Sequence, residues 1–275
     1  MSGTAPAPIA FFDVDETLIA AKGMLAFWDF WTADPARTDP AHTDPARTDP
    51  ARADPGTAGP APTGPARRPG ATPPGAPDLR AAMAAGVPRE ELNRMYYRGF
   101  AGVPATALRS AARRWYEEYR RGAAAFVTAS LDALARHRDL GHEVVLVSGS
   151  LRPLLEAVAE DFGAAAVCCT EQLAAGGVLT GEVDRPMIGQ AKADAVAALV
   201  RARGVRPADC FAYGDHESDL AMLRTVGHPV VVNGSAELLA EAGRAGWPVL
   251  DGRRGPRRPP GPPARPAVAH RSVSV

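Results

Sequence analysis

Pro8-Ile9-Ala10-Phe11-Phe12-Asp13-Val14-Asp15-Glu16-Thr17 joins a short apolar run to two carboxylates set two residues apart. If Pro8 to Phe12 is a buried strand, Asp13 and Asp15 emerge at its carboxyl end. Open α/β sheets bind ligands at that edge. Strand side chains alternate, so both carboxylates lean over one pocket while Val14 turns into the protein. One can then attack while the other handles a proton. Alone, Asp-x-Asp is equally at home in a solvated turn or a helix cap. The rest of the chain has to decide.

The bulk numbers exclude several classes. The chain has 275 residues, formal net charge zero and pI near 7.0. No global basic field points to nucleic acid. No apolar run reaches the roughly 18 residues of a membrane span. Met1 to Pro8 holds no basic residue, so no secretory signal is expected. Cys168, Cys169 and Cys210 make no disulfide framework and no zinc spacing. A reduced, cytoplasmic compartment is expected.

Ala33 to Pro77 contains no Leu, Ile, Val, Met or aromatic residue. It opens on repeats of DPART type that start at Asp34, Asp39, Asp44 and Asp49. Such a segment cannot bury enough apolar surface to offset ordering entropy, and its prolines forbid a helix or central strand. Residues 33–77 are therefore expected to be a disordered insertion, and the Pro/Arg-rich tail at residues 252–275 likewise. Roughly 200 residues remain for one domain and a small appendage. Joining Trp31 to Asp78 by a short Gly/Ser linker should barely move the melting temperature, because loop length alters closure entropy only slightly. A deletion that lost its cooperative transition would show the segment to be structural.

Elsewhere helices and strands alternate. Helices are predicted from Glu16 to Trp31, Asp78 to Ala85, Pro88 to Arg98, Pro104 to Arg121 and Thr128 to Leu140. Strands are predicted at His142 to Val147, Ala165 to Cys169, Asp209 to Tyr213, Pro229 to Val232 and Pro248 to Leu250. Leu173 to Val183 reads as a hairpin around Gly176-Gly177. Helices between them cover Leu151 to Phe162, Gln190 to Arg203, Ser218 to Val226 and Ala236 to Ala245. The pattern predicts an α/β fold, a parallel sheet covered on both faces. The helices between the first two strands are expected to form a small separate domain over the sheet edge.

Three more sites fall at strand ends or on a following helix. Ser148-Gly149-Ser150 offers a hydroxyl and backbone N–H groups to a phosphate. Lys192 opens the helix after the hairpin. Gly214-Asp215-His216-Glu217-Ser218-Asp219 sets two more carboxylates four residues apart. Carboxylates there, facing Asp13, suit Mg²⁺, which takes few protein ligands.

In this order, DVDET, LVSGS, Lys192 in GQAKAD and GDHESD resemble the four motifs of the haloacid dehalogenase superfamily. The likeness is to its subfamily IB, the phosphoserine-phosphatase-like branch. It covers residues 7–250 apart from the insertion. The resemblance implies a doubly wound Rossmann-like core at residues 1–16 and 123–251, and a small helical cap inserted after the first strand, at residues 17–32 and 78–122. It implies an Mg²⁺-dependent phosphatase of a small phosphomonoester. Asp13 would be the nucleophile and Asp15 the acid and base. Ser148, Gly149, Ser150 and Lys192 would hold the phosphoryl oxygens. Asp13, the Asp15 carbonyl and Asp215 would bind the metal, with Asp219 orienting a metal water or Lys192. Phosphoserine phosphatases carry a glutamate for the substrate ammonium where this chain has Lys22. Lys22 and, on a later cap helix, Arg98 are thus candidate contacts for an anionic or hydroxyl-rich group. A phosphotransferase using the same intermediate, or a non-enzymatic binding protein displaying the repeat, are the alternatives. No nucleic-acid or membrane partner is expected, and the protein is read as a monomer or homodimer.

Overall fold

The computed structural model describes residues 6–33 and 78–256; the DPAxT repeat lies outside the described residues. Its centre is a six-stranded sheet in the order β4-β3-β1-β7-β8-β9, with every neighbouring pair parallel. The strands are β1 (Ile9–Phe12), β3 (Glu143–Leu151), β4 (Ala166–Thr170), β7 (Phe211–Gly214), β8 (His228–Val232) and β9 (Val249–Leu250). All four residues of β1 are fully buried. Ile9 and Phe11 pack into one apolar cluster and Ala10 and Phe12 into another. A strand covered on both faces reads as an unbroken apolar run for this reason. From β1 the sheet grows to β3 and β4 on one side, and to β7, β8 and β9 on the other. Such reversals open a crevice beyond the carboxyl ends of the strands.

α5 (Thr128–Asp139), α6 (Arg152–Phe162), α7 (Gln190–Arg203), the short α8 (Leu220–Leu223) and α9 (Ala236–Ala245) cover the sheet. The cap holds α1 (Gly23–Ala33), α2 (Leu79–Ala84), α3 (Arg89–Arg98) and α4 (Ala105–Tyr119). Its aromatics knit these helices together: Phe100 meets Trp31 at 5.5 Å and Tyr96 at 5.0 Å between ring centroids. The hairpin β5 (Gln172–Ala175) and β6 (Val178–Val183) ties cap to core. Gly102 N–H donates to the Leu179 carbonyl and Leu179 N–H to that of Val103, both at 2.8 Å.

Four sequence expectations are corrected. The helix predicted from Glu16 starts only at Gly23, because Glu16 takes a left-handed φ of 59°. Thr17 to Ala20 instead follow β2 (Phe126–Val127) of the core: Val127 N–H donates to the Leu18 carbonyl and Ala20 N–H to that of Ala125. The cap boundary at residue 17 therefore moves towards Gly23. The helix predicted at Ser218 to Val226 is a 3-10 turn at Glu217–Asp219 followed by α8. The tail read as disordered from Gly252 pairs as β10 (Arg254–Gly255) with β2 before it leaves the described residues.

Behind the crevice, Tyr213 stacks on Phe12 with centroids 4.2 Å apart. His137 of α5 is buried against the pair and hydrogen-bonds Tyr213 Oη and His142 Nδ1, each at 2.8 Å. Burial, then the neighbouring His142 and Arg136, push its pKa down to about 4. An unfolded histidine titrates near 6.5. As pH falls below about 6.5, the unfolded chain binds a proton that the folded one refuses until about 4. His137 therefore stabilises fully above that range, and the contribution is lost across it. His137→Gln should show a smaller fall in melting temperature between pH 7.5 and pH 5 than the parent; equal falls would refute this.

Candidate active site

β1 delivers Asp13 to the sheet edge, where its N–H continues the ladder to the Tyr213 carbonyl at 2.9 Å. β7 delivers Asp215 and Asp219 beside it. Carboxylate oxygens of Asp13, Asp215 and Asp219 lie within 4.8 Å of one another. Lys192, from the first turn of α7, reaches into this cluster. Its Nζ donates to Asp13 Oδ1 and to Asp219 Oδ1, both at 2.6 Å. All three side chains are buried. Burial opposes the lysine charge, but Asp13 and Asp219 outweigh it and raise its pKa.

Small residues make room for this crowding. A Cβ on Gly214 would lie 2.7 Å from that of Asp219. Asp219 Oδ2 accepts the N–H groups of Asp215 at 3.3 Å and His216 at 3.2 Å. With Lys192 on its other oxygen, both carboxylate oxygens of Asp219 have partners. Asp215 is held by Thr17, whose hydroxyl donates to Oδ1 at 2.9 Å. Burial, then Asp13 and Asp219, push the Asp215 pKa up to about 9. Burial also raises that of Asp13, against the pull of Lys192. Buried carboxylates that repel each other in this way fit a hard divalent cation with oxygen ligands.

Asp15 lies across the cavity under the first turn of α1. It accepts the Met24 N–H at 3.4 Å and the Ser150 hydroxyl at 3.3 Å. Gly23 permits this, since a Cβ there would sit 2.7 Å from Asp15 Oδ1. Burial, then the Asp13 charge, push Asp15 up to about 7. Ser148, Gly149 and Ser150 line the same cavity of about 250 Å³, as does Lys22. The Ser148-Gly149-Ser150 stretch belongs to the long β3, and α6 starts only at Arg152. Ser150 N–H donates to Ser148 Oγ at 3.2 Å.

Arg98 does not reach the cavity. It turns outward and pairs with Glu91 at 2.9 Å. Arg89, at the opposite end of α3, lines the wall instead and has no ion-pair partner among the described residues. Sequence reasoning missed Arg89 and Thr17. The proline before α3 was the available signal for Arg89, since the start of that helix abuts the site. Thr17 had only its place in DVDET.

A profile of haloacid dehalogenase-like hydrolases matches residues 10–224, well over half of the chain. The chain belongs to this family. A probable phosphatase of Mycobacterium tuberculosis is 39% identical over 119 residues, covering 43% of this chain and 42% of the relative. The inhibition of morphological differentiation protein of Streptomyces azureus is 38% identical over 141 residues, covering 49% and 51%. The chain thus spans about half the length of these relatives. Others are named phosphoserine phosphatase. In fold, the chain resembles a phospho-aspartyl intermediate analogue of phosphoserine phosphatase, with TM-score 0.58, 14% identity and coverage of 91% and 96%. Among the described residues, no helix is long and apolar enough to cross a membrane.

Proposed function

We propose that this protein is a divalent-metal-dependent phosphatase, with Mg²⁺ as its metal, that hydrolyses a small phosphomonoester. The observation that carries this reading is Lys192 at 2.6 Å from Asp13, with Asp15 facing the same cavity. Lys192 engages Asp13 Oδ1 and leaves Oδ2 to attack. The Oδ2–phosphorus bond forms as the bond to the ester oxygen breaks. Asp15, with a pKa raised to about 7, donates its proton to that leaving oxygen. Asp15 then takes a proton from water, whose oxygen attacks phosphorus and frees Asp13 and inorganic phosphate. Ser148 and the Gly149 N–H hold the phosphoryl oxygens with Lys192. Asp13, Asp215 and the Asp15 carbonyl would bind Mg²⁺, which neutralises phosphoryl charge when bound. Asp219 orients Lys192. A hydroxyl acceptor in place of water would make the same site a phosphotransferase. Three buried, free cysteines accord with a reduced cytoplasmic setting. Release of phosphate from p-nitrophenyl phosphate tests the enzyme reading; a metal-loaded protein that releases none would leave only a binding role.

The substrate we propose carries an anionic or hydroxyl-rich group beyond its phosphate. Lys22 and Arg89 line the wall. Glu16 is 3.5 Å from Lys22 and meets part of that charge, which leaves Arg89 as the freer cation. O-phosphoserine, suggested by the names of several relatives, would have to set its ammonium against both. A panel of phosphorylated metabolites should rank O-phosphoserine below phosphoglycolate-like or sugar phosphates in kcat/KM. Lys22→Glu should raise KM for the best of these more than it lowers kcat, because Lys22 faces a remote group. O-phosphoserine at the head of the panel would overturn the specificity argument.

A further inference from the structure

The Gly149 carbonyl is gripped from the cap. Asn93 Nδ2 donates to it at 2.9 Å and Tyr97 Oη at 3.0 Å. The two side chains stand one turn apart on the same face of α3, and both are buried. Together they take both lone pairs of the oxygen. Thr170 Oγ donates to Asn93 Oδ1 at 3.3 Å and accepts the Met187 N–H at 2.9 Å. The Asn93 amide is thereby turned one way, with its oxygen to β4 and its nitrogen to Gly149. Met187 lies in the loop that leads to Lys192. One network thus joins the cap, the carboxyl end of β3 and the approach to α7.

The grip has a geometric consequence. A trans peptide sets its C=O and N–H on opposite sides, and the described residues contain no cis bond. Holding the Gly149 oxygen towards α3 turns the Ser150 N–H away from the cap, where it donates to Ser148 Oγ. Gly149 itself is shaped by the same approach. A Cβ there would lie 3.2 Å from Asn93 Nδ2 and 3.3 Å from Ile188 Cγ1.

We propose that Asn93 and Tyr97 are positioning residues: through the Gly149 carbonyl, the cap sets the Gly149–Ser150 peptide so that its N–H holds Ser148 Oγ, the hydroxyl that meets the phosphoryl group. The inference rests on the phosphatase reading for the identity of the bound group, but the grip on the peptide does not. The Asn93 amide, although beside the cavity, is turned to Gly149 and Thr170, so it acts through the peptide. By linkage, a phosphoryl group that favours the positioned Ser148 hydroxyl must favour the grip of the cap on the Gly149 carbonyl by the same factor.

Tyr97→Phe removes one donor and keeps the ring; Asn93→Leu with Tyr97→Phe removes both. Three quantities are read: kcat and KM on p-nitrophenyl phosphate, inhibition by inorganic phosphate, and amide hydrogen exchange at Ser150. Loss of one hydrogen bond is worth about fivefold. Tyr97→Phe should raise the inhibition constant of phosphate about that much, and the double variant by at least ~10-fold. Ser150 exchange should quicken in step. A purely structural defect would lower kcat through a smaller folded fraction, and leave phosphate inhibition and Ser150 exchange of the folded protein unchanged. That outcome in Tyr97→Phe, which is the milder change and retains the fold, overturns the proposal. Wild-type protein without turnover would refute the phosphatase reading instead; Ser150 exchange would then still decide the grip, and no change in it would overturn the positioning role.

Discussion

Asp13→Asn should lose at least about 10⁴-fold in turnover and keep its fold. The amide cannot attack phosphorus, so the covalent route closes. The fold survives because an Asn oxygen can still accept from Lys192 Nζ, now 2.6 Å from Asp13 Oδ1, and because Asp219 still neutralises the lysine. Asp15→Asn should also lose several orders of magnitude, since the proton held near neutral pH is gone. Removing divalent cations with EDTA should abolish activity, and Mg²⁺ should restore it. Turnover on p-nitrophenyl phosphate, measured beside the far-ultraviolet circular dichroism spectrum, checks all three. A freshly purified Asp13→Asn protein with parental turnover would sink the nucleophile assignment.

Much of this site was legible because its parts carry local signals. The apolar run before Asp13 reads as a strand, and its four residues are fully buried. α7 and α9 run over the spans expected, Gln190–Arg203 and Ala236–Ala245. Both have strong punctuation: Gly204 and Gly246 end them in left-handed conformations, and the Ser235 side chain caps the start of α9. The illegible parts depend on distant partners. Thr17 holds Asp215 across 198 positions, and no local pattern announces that. Glu16 to Lys22 has a helix-like composition, yet Thr17 to Ala20 follow β2, a two-residue strand too short for alternation to show. Arg89 and Arg98 sit at opposite ends of one helix. Which end faces the cavity depends on how α3 packs against Gly149 and β6. The sequence carries the chemistry of both arginines but not their direction.

Lys192→Met should destabilise the protein by about 3–5 kcal/mol, because removing one partner leaves buried charge without compensation. In the parent, one ammonium serves two carboxylates, with side-chain exposures of 5% for the lysine, 7% for Asp13 and 1% for Asp219. The methionine fills the volume but accepts no charge. Asp13 and Asp219 then face each other and the nearby Asp215, whose pKa is already pushed up to about 9. Some of the loss will be relieved as these groups take up protons, so the variant should be least impaired at acidic pH. In a domain of this size the expected loss is a fall in melting temperature of about 10 °C at neutral pH without added divalent cation. Turnover should vanish with it, because Asp13 loses its orientation and the phosphoryl oxygens lose a cation. The double variant Lys192→Met with Asp219→Asn separates the two effects. It deletes one of the uncompensated charges, so part of the stability should return while activity stays lost. A Lys192→Met protein as stable as its parent, with no gain from the second substitution, would show that the lysine is not what holds these carboxylates together.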